Sequence, residues 1–490
     1  MSTCKDAIKF DFGTYNQKIQ GKFHEPLTYK DQLDRDMITV DDKTGTINNI
    51  SQEFINTPFY KEYYKCLWYS TQTEKMTESR NGADYVYVAS TAYHFLYLSY
   101  QTLTLPAISV PDHLKDSVRI CWCHNIGSNI VEKANISEGN DEIQSLDSVS
   151  FDIINQFFKR DDIDNYQASI GNLSYLENWT TDLPQYHDIL VVQPWFYGMY
   201  DKKSETYPNA FPIFYKQDTT LKHVYSFRNK VDQLLRVQRL EDGIWKNVHR
   251  DEIRSLLNIS EEKNNISIEM WGCYSNVTDT ELANHREMVI KNKDGRDYHY
   301  LDVLEFDADN DCGERKVISC EINYTHPCYI VTWVAENILA TSYNNLSNYT
   351  NDANCLYRGF DPIVKNTLSY STAKKFKDMR SIHFNKFSSI FLPSSPTEAG
   401  YHAYNYVLEP ISNNAQPGII SETSKPTLSC YLETDPIYNF LERQRRCNDI
   451  EIEDYSEDNT FKLRVRLFVR KTLNVSYNSE NKKFIFIVDN

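Results

Sequence analysis

The chain has 490 residues, of which 41% are hydrophobic and 24% are charged. This balance excludes a disordered chain, and the small numbers of Gly (15) and Pro (16) exclude a collagen-like or linker-rich one. Lys and Arg number 52 against 68 Asp and Glu, a net charge of −16, so on average the chain repels a polyanion such as DNA.

The 11 cysteines are an odd number and are scattered, which predicts free thiols in a reducing compartment. The first residues, Met-Ser-Thr-Cys-Lys-Asp, lack the apolar core of a signal peptide, and no apolar run approaches the ~18 to 20 residues of a membrane span. Aromatic residues make up 13% of the chain, which favours β-sheet.

Residues 1–81 are polar and irregular, and we interpret them as an N-terminal arm or extension. From Asp84 onward short β-branched and aromatic runs predict strands, at 85–88, 94–100, 117–123, 189–192, 211–215 and 221–227. A helix is expected over 148–159, with Ser148 as its N-cap, because apolar residues recur there at helical spacing.

A short helical segment is expected near 251–257, after which strand patterns begin again. We predict strands at 266–271, 301–306, 317–321, 427–433, 461–470 and 484–488, and a helix over 436–446. The basic segment 462–471 alternates with apolar residues, so we interpret it as a strand with one solvated basic face.

The clearest strand follows a His-Pro step. Pro327 cannot donate a ladder hydrogen bond, so it belongs at the first residue of a strand, which ends near Glu336-Asn337. Strict alternation places Cys328, Ile330, Thr332 and Val334 on one face and Tyr329, Val331, Trp333 and Ala335 on the other. Both faces are largely apolar, which predicts that this strand is covered on both sides.

Many short strands in two successive groups, with few helices and no alternation of strand and helix, predict an all-β chain with two consecutive β-sandwiches. We divide it into an arm (1–81), a first sandwich (82–262) and a second sandwich (263–490). Long loops, such as 159–186 and 341–380, are expected to be functional or interaction surfaces.

Catalytic patterns are scarce. Cys121-Trp122-Cys123-His124 is half a zinc site without a second pair, and 307–311 starts like an EF-hand loop but lacks its Gly and bidentate Glu. His285-Arg286-Glu287 reads as an exposed helix or loop face rather than an acid/base cluster. A carboxylate pair for glycoside hydrolysis stays open, because 68 acidic residues supply many accidental pairs. We therefore assign no catalytic, cofactor-binding or metal-binding residues, expect no cofactor, and predict that the chain is not an enzyme.

Several segments nevertheless resemble one known family. They are 400–410 (Gly-Tyr-His-Ala-Tyr-Asn-Tyr-Val-Leu-Glu-Pro), Gln416-Pro417-Gly418, the His-Pro strand, 268–290, Leu105-Pro106-Ala107, 129–132, Pro194-Trp195-Phe196 and Ala210-Phe211-Pro212. Taken in chain order, which is also the order of the family, they resemble the major capsid proteins of nucleocytoplasmic large DNA viruses, over roughly residues 82–490. Within that resemblance, 268–290 corresponds to the first strand and following turn of the second domain.

The resemblance implies a double jelly roll, with two eight-stranded jelly rolls side by side in one chain. It implies a homotrimer that forms a pseudo-hexagonal capsomer of a large icosahedral dsDNA virus. Neighbouring capsomers, minor capsid proteins and penton proteins would be its partners, and the arm would reach toward an internal membrane. It implies a virion location after assembly in the host cytoplasm, without direct nucleic-acid binding. A diverged minor capsid or assembly-scaffold paralogue is the alternative, and a carbohydrate-binding β-sandwich a more distant one.

Overall fold

The computed structural model of the chain describes residues 38–40, 47–50, 70–139, 141–158, 169–198, 210–215, 220–292, 294–308, 317–324, 327–370, 373–407, 418–419, 425–432, 460–480 and 482–489. His326, residues 408–417 and the predicted helix 436–446 lie outside these residues. No helix in the described part is long and apolar enough to cross a membrane.

The strands of the first half are β1 (Ile38–Val40), β2 (Ile47–Ile50), β3 (Ser70–Lys75), β4 (Thr77–Asn81), β5 (Asp84–Val88), β6 (Phe95–Leu105), β7 (Ile108–Ser109), β8 (Val118–Trp122), β9 (Val131–Glu138), β10 (Asp141–Asp147), β11 (Asp182–Leu183), β12 (Tyr186–Val192), β13 (Phe211–Pro212), β14 (Leu221–Phe227), β15 (Leu235–Glu241), β16 (Ile244–Asn247) and β17 (Ser267–Asn276). Those of the second half are β18 (Arg296–Asp307), β19 (Val317–Glu321), β20 (Pro327–Asn337), β21 (Ile363–Ser369), β22 (Lys374–Arg380), β23 (His402–Asn405), β24 (Gly418–Ile419), β25 (Thr427–Leu432), β26 (Phe461–Asn478) and β27 (Lys483–Asp489).

The described α-helices are short: α1 (Ile126–Asn129), α2 (Ser148–Phe157), α3 (Ser174–Glu177), α4 (Arg250–Leu256), α5 (Asp279–Lys291) and α6 (Ile338–Ser342). A π-helical turn (His383–Phe387) runs directly into a 3-10 turn (Ser388–Phe391). The predicted helix over 148–159 is confirmed as α2, although its N-cap is Asp147, whose carboxylate accepts from the Ser150 amide, rather than Ser148.

The two halves repeat one strand order. In the first, β3-β17-β6-β12 form one sheet, and β5-β14-β9-β10 form the other, with β4 added outside β5. In the second, β18-β26-β20-β23 form one sheet and β19-β25-β21-β22 the other. The eight strands of each half are numbered in chain order, as β3, β5, β6, β9, β10, β12, β14 and β17 in the first and β18, β19, β20, β21, β22, β23, β25 and β26 in the second. In both halves, one sheet has the order first, eighth, third, sixth, and the other has the order second, seventh, fourth, fifth. This is the order of an eight-stranded jelly roll, so the predicted pair of β-sandwiches is confirmed.

The pairing corrects one strand assignment. The segment Ile268–Trp271 was expected to open the second roll, but it lies in β17, which pairs with β6 and β3 of the first roll. Residues 70–81, predicted to belong to the arm, supply β3 and β4. Both are solvent-exposed edge strands held by ladder hydrogen bonds, so they carry no apolar alternation. We propose a first roll over 70–276 and a second beginning near β18, in place of the predicted borders.

Strand β20 begins at Pro327 and ends at Asn337, as predicted. A β-bulge at Tyr329 breaks the predicted alternation, because one extra residue faces β26 between Cys328 and Ile330. Cys328 therefore joins Val331, Trp333 and Ala335 inside the second roll, while Tyr329 and Ile330 point the other way. Two apolar clusters cover the strand. One fills the second roll, and the other extends from the opposite face of β20 through the first roll.

Replacing Trp333 with Ala should destabilise the second roll. The indole is fully buried, stacks on His402 at 5.6 Å and donates from Nε1 to Asn366 Oδ1 at 3.0 Å. We expect a loss of about 3 to 5 kcal/mol in unfolding free energy, measured by chemical denaturation. Tyr431→Ala, at an exposed aromatic ring on β25, is the control and should cost under about 1 kcal/mol. An unchanged midpoint for Trp333→Ala would contradict the placement.

Candidate functional site

Buried charge concentrates where the two rolls meet, at the helix α2. Arg466 of β26 is fully buried and points away from the interior of its own roll. Its guanidinium forms an ion pair with Asp147, donates from Nε to Ser150 Oγ at 3.1 Å, and donates from Nη1 to Asp307 Oδ1 at 3.0 Å. An arginine of the second roll thus binds the N-terminus of a helix of the first.

The electrostatics of this cluster follow from burial and pairing. Burial alone would raise the pKa of Asp147, but the Arg466 guanidinium outweighs it and holds that pKa below its ordinary value. Glu305 lies opposite Arg466 on β18, and burial together with the Asp147 charge raises its pKa to about 7. A buried arginine with two carboxylate partners is tolerated because its donors are satisfied, and removing one partner leaves an uncompensated charge.

A second contact joins the middle of α2 to the segment after α6. Asp152 is buried, and its Oδ2 accepts from Ser347 Oγ at 2.7 Å and from the Tyr349 hydroxyl at 2.9 Å. Its Oδ1 has no hydrogen-bond partner among the described residues. Burial raises the pKa of Asp152 to about 7. Ser347 also accepts from Asn129 Nδ2 at 2.6 Å, which extends the network to α1.

The Asn-rich segment that supplies Ser347 lies in the predicted long loop 341–380. Its amides are buried and bond backbone carbonyls: Asn344 Nδ2 donates to Asp232 O and Leu235 O, and Asn348 Nδ2 donates to Asp352 O. This part of the loop is therefore a buried connector between the rolls rather than an exposed surface. Later in the range, residues 363–369 and 374–380 form β21 and β22, two strands that the alternation pattern does not predict.

His124 closes the junction at its other end. Its Nδ1 lies 2.8 Å from Glu177 Oε1, and its Nε2 lies 2.9 Å from Glu398 Oε1. Both ring nitrogens face carboxylates, so the geometry fits the doubly protonated ring. Burial alone would lower the pKa of His124, but Glu398 and Glu177 outweigh it and hold the pKa well above its ordinary value. The imidazolium thus binds a glutamate from each half of the chain.

The motifs considered for chemistry have structural roles. Cys121 and Cys123 are buried free thiols, and burial raises the pKa of Cys121 to about 12. His285 was expected on an exposed face but is buried in α5, where burial and Arg296 lower its pKa to about 3. No group of three or more His, Cys, Asp or Glu that could hold a metal occurs among the described residues.

Of the acidic turn 307–311, the structure describes Asp307 and Ala308, and Asp307 pairs with Arg464 and Arg466. The predicted solvated basic face of 462–471 is wrong in its middle part. Arg466 is fully buried, and Arg464 binds Glu336 and Asp307. The alternation of the strand was read correctly, but the cover over its basic face comes from another domain and leaves no local signal in the sequence.

No protein-family model matches the sequence, and no curated protein matches it. Solved structures do. The chain is similar to one in a quasi-atomic model of the PBCV-1 virus capsid, with a TM-score of 0.60, 13% identity, and coverage of 86% of this chain and 97% of that one. It is also similar to PBCV-1 VP54, fitted into a reconstruction of the virophage Sputnik. The TM-score is 0.61 and the identity 12%, over 86% of this chain and 97% of that one.

The Faustovirus major capsid protein is also similar, with a TM-score of 0.58 and 8% identity over 96% of this chain and 98% of that one. At such identities the likeness is one of fold. It confirms the double jelly roll, which the strand order had already shown.

Arg466→Met should loosen the junction, because it removes the buried guanidinium that pairs with the partly buried Asp147 and with Asp307. We expect a loss of about 3 to 5 kcal/mol in the free energy of unfolding. Lys462→Met, at a less buried basic residue of the same strand face, is the matched control and should change stability by under about 1 kcal/mol. Equal effects of the two substitutions in urea denaturation would contradict a special role for Arg466.

Asp152→Asn should alter the pH dependence of stability. The folded pKa of about 7 lies above the ordinary value of 3.8, so the folded state holds a proton that the unfolded state releases. The stability contributed by this group is complete below about pH 4 and is lost as the pH rises through 7. The amide of the Asp152→Asn variant would not titrate, so it would not lose stability in this way. The unfolding free energy of the variant, minus that of the wild type, should therefore rise by at least about 1.4 kcal/mol from pH 5 to pH 8.

Thermal unfolding followed across that pH range measures this difference. Asp251→Asn, at an exposed carboxylate on α4, is the control and should leave the pH profile of the wild type unchanged. A profile for Asp152→Asn that runs parallel to that of the wild type would contradict the assigned protonation.

Proposed function

We propose that this chain is a structural capsid protein of a large icosahedral dsDNA virus, and that it forms homotrimeric, pseudo-hexagonal capsomers that tile the outer shell. The observation that carries the proposal is the repeat of one jelly-roll strand order in two halves of one chain. Two of the similar structures support it, since one belongs to the PBCV-1 virus capsid and the other is the Faustovirus major capsid protein.

The physical argument is geometric. Three copies of a chain with two similar rolls supply six similar building blocks, and a closed ring of six blocks approximates a hexagon. Hexagons tile a flat face, so a trimer of double rolls can cover one with a single protein. The buried charged junction suits this task, because it holds the two rolls of each chain in one fixed relation.

The proposed partners are other copies of the chain, neighbouring capsomers, and minor capsid and penton proteins. The proposed location is the virion, after assembly in the host cytoplasm, with the N-terminal arm toward an internal membrane. The net charge of −16 fits a shell protein without direct nucleic-acid contact. A structural rather than catalytic role fits the junction, where the buried titratable groups bind one another.

Light scattering coupled to size-exclusion chromatography should give three times 57.5 kDa, about 172 kDa, for the purified protein. Negative-stain images of the same fraction should show hexagonal particles. A stable monomer across salt and concentration series would contradict the capsomer proposal.

A further inference from the structure

The two rolls share a second feature beyond their strand order. The fifth strands, β10 and β22, are both seven residues long, and each runs directly into a helical segment. Residues 148–158 read Ser-Val-Ser-Phe-Asp-Ile-Ile-Asn-Gln-Phe-Phe, and residues 381–391 read Ser-Ile-His-Phe-Asn-Lys-Phe-Ser-Ser-Ile-Phe. Five of the six apolar positions of 148–158 are also apolar in 381–391, and the exception is Ile153, where Lys386 stands. The segment 381–391 is therefore the counterpart of α2 in the second roll.

The third strands correspond residue by residue. Both β6 and β20 have 11 residues, and each carries a bulge at its third residue, Tyr97 or Tyr329. The sixth residue of β20, Thr332, lies opposite Arg466, and the sixth residue of β6, Tyr100, lies opposite Trp271. Trp271 therefore holds the place in the first roll that Arg466 holds in the second.

Within one chain, α2 covers the outer face of the second roll around Arg466. The Phe158 ring lies 5.0 Å from the Phe468 ring, and Asp147 and Ser150 bind the Arg466 guanidinium. The apolar side chains of α2 are accordingly buried. The contact joins the helical segment after a fifth strand to the first sheet of the next roll.

Segment 381–391 has the same character without such a cover. Ile382 is 65% exposed, Phe387 52% and Ile390 67%, whereas the corresponding Val149, Ile154 and Phe157 are buried. Exposed apolar side chains this close together are typical of an interaction surface.

The matching outer face of the first roll is also partly open. The Trp271 and Tyr100 rings stack with centroids 6.3 Å apart, and both are only half-buried. Beside them Leu190 of β12 is exposed, opposite Thr102. The Trp271 indole N–H has no hydrogen-bond partner among the described residues.

The charges on the two corresponding surfaces are reversed together. Strand β10 carries Asp141, Glu142 and Asp147, where β22 carries Lys374, Lys375 and Arg380. On the eighth strands, Arg464 lies opposite the eighth residue of β20, and Glu269 lies opposite the eighth residue of β6.

Across the intrachain contact, Asp147 at the end of the fifth strand pairs with Arg466 on the eighth, while Arg464 beside it pairs with Glu336 and Asp307 of its own roll. On the open surfaces, the fifth strand β22 is basic, and the eighth strand β17 carries Glu269, which pairs with Lys75 at 2.7 Å. The acidic β10 end therefore suits the outer face of the second roll, and the basic β22 suits the outer face of the first. Exchanging the two would set like charges against each other.

We propose that segment 381–391 of one chain docks on the outer face of the β3-β17-β6-β12 sheet, around Trp271, of a second copy of this chain. The inference rests on the proposed oligomer and identifies the surfaces that form it. The contact is heterologous, because the two surfaces differ. Repeated with a rotation of one third of a turn, as the proposed trimer requires, it closes a ring rather than a two-fold dimer.

Two single substitutions and their mixture test this docking. Ile390→Asp places a charge in the segment, and Leu190→Asp places one on the receiving face. Both side chains are exposed, so each variant should fold and keep the far-UV circular dichroism spectrum of the wild type. Each variant alone should run as a 57.5 kDa monomer. In a mixture of the two, the intact segment of Leu190→Asp can bind the intact receiving face of Ile390→Asp. The mixture should therefore form a dimer of about 115 kDa. Ile244→Asp, at an exposed side chain on β16, is the control and should stay trimeric.

If the wild type and the Ile390→Asp variant are both trimeric, the docking is overturned and the capsomer proposal stands. If the wild type is monomeric, the capsomer proposal itself is contradicted. Two monomeric variants that do not combine would overturn the heterologous pairing. If Ile390→Asp stays trimeric but loses binding to vesicles of anionic lipid, the basic and apolar segment serves a membrane surface instead, which also overturns the docking.

Discussion

The structure depends on one sheet that must be covered on both faces. In the second roll, the sheet β18-β26-β20-β23 turns Val331, Trp333 and Ala335 toward its own partner sheet, and turns Ile330, Val334 and Arg466 the other way. Neither set tolerates water, because one is apolar and the other holds a buried charge. The first roll supplies the second cover through α2, so the apolar core of the first roll continues across the junction to the outer face of this sheet.

The junction is polar at its centre, and this has a physical consequence. An apolar contact alone would permit sliding between the rolls, whereas the Arg466 and Asp147 pair, the Asp152 contacts and the His124 bridge each require one relative position. Buried ion pairs add little net stability compared with apolar packing, but removing only one partner of a pair is strongly destabilising. We infer that these groups fix the geometry of the rolls, which a tiling protein needs more than additional stability.

The sequence predicted most of the fold, because strand alternation and aromatic content are local signals. Pro327 and Asn337 were read correctly as the ends of β20. The bulge at Tyr329 has no signature in the alternation, so the faces of Cys328 and Tyr329 were exchanged. Polar edge strands such as β3 and β22 were missed, since their stability comes from ladder hydrogen bonds rather than from apolar faces. The buried state of Arg466 could not be read from its own strand, because the residues that cover it lie over 300 positions away.

A cryo-EM reconstruction of the purified oligomer tests the central claim most directly, namely that this fold repeats one roll-to-roll contact within and between chains. The account predicts a three-fold ring in which segment 381–391 of each chain lies on the outer face of β17 and β6 in the next, as α2 lies on β26 within one chain. A ring in which that segment faces solvent, or in which chains meet through other surfaces, would contradict it.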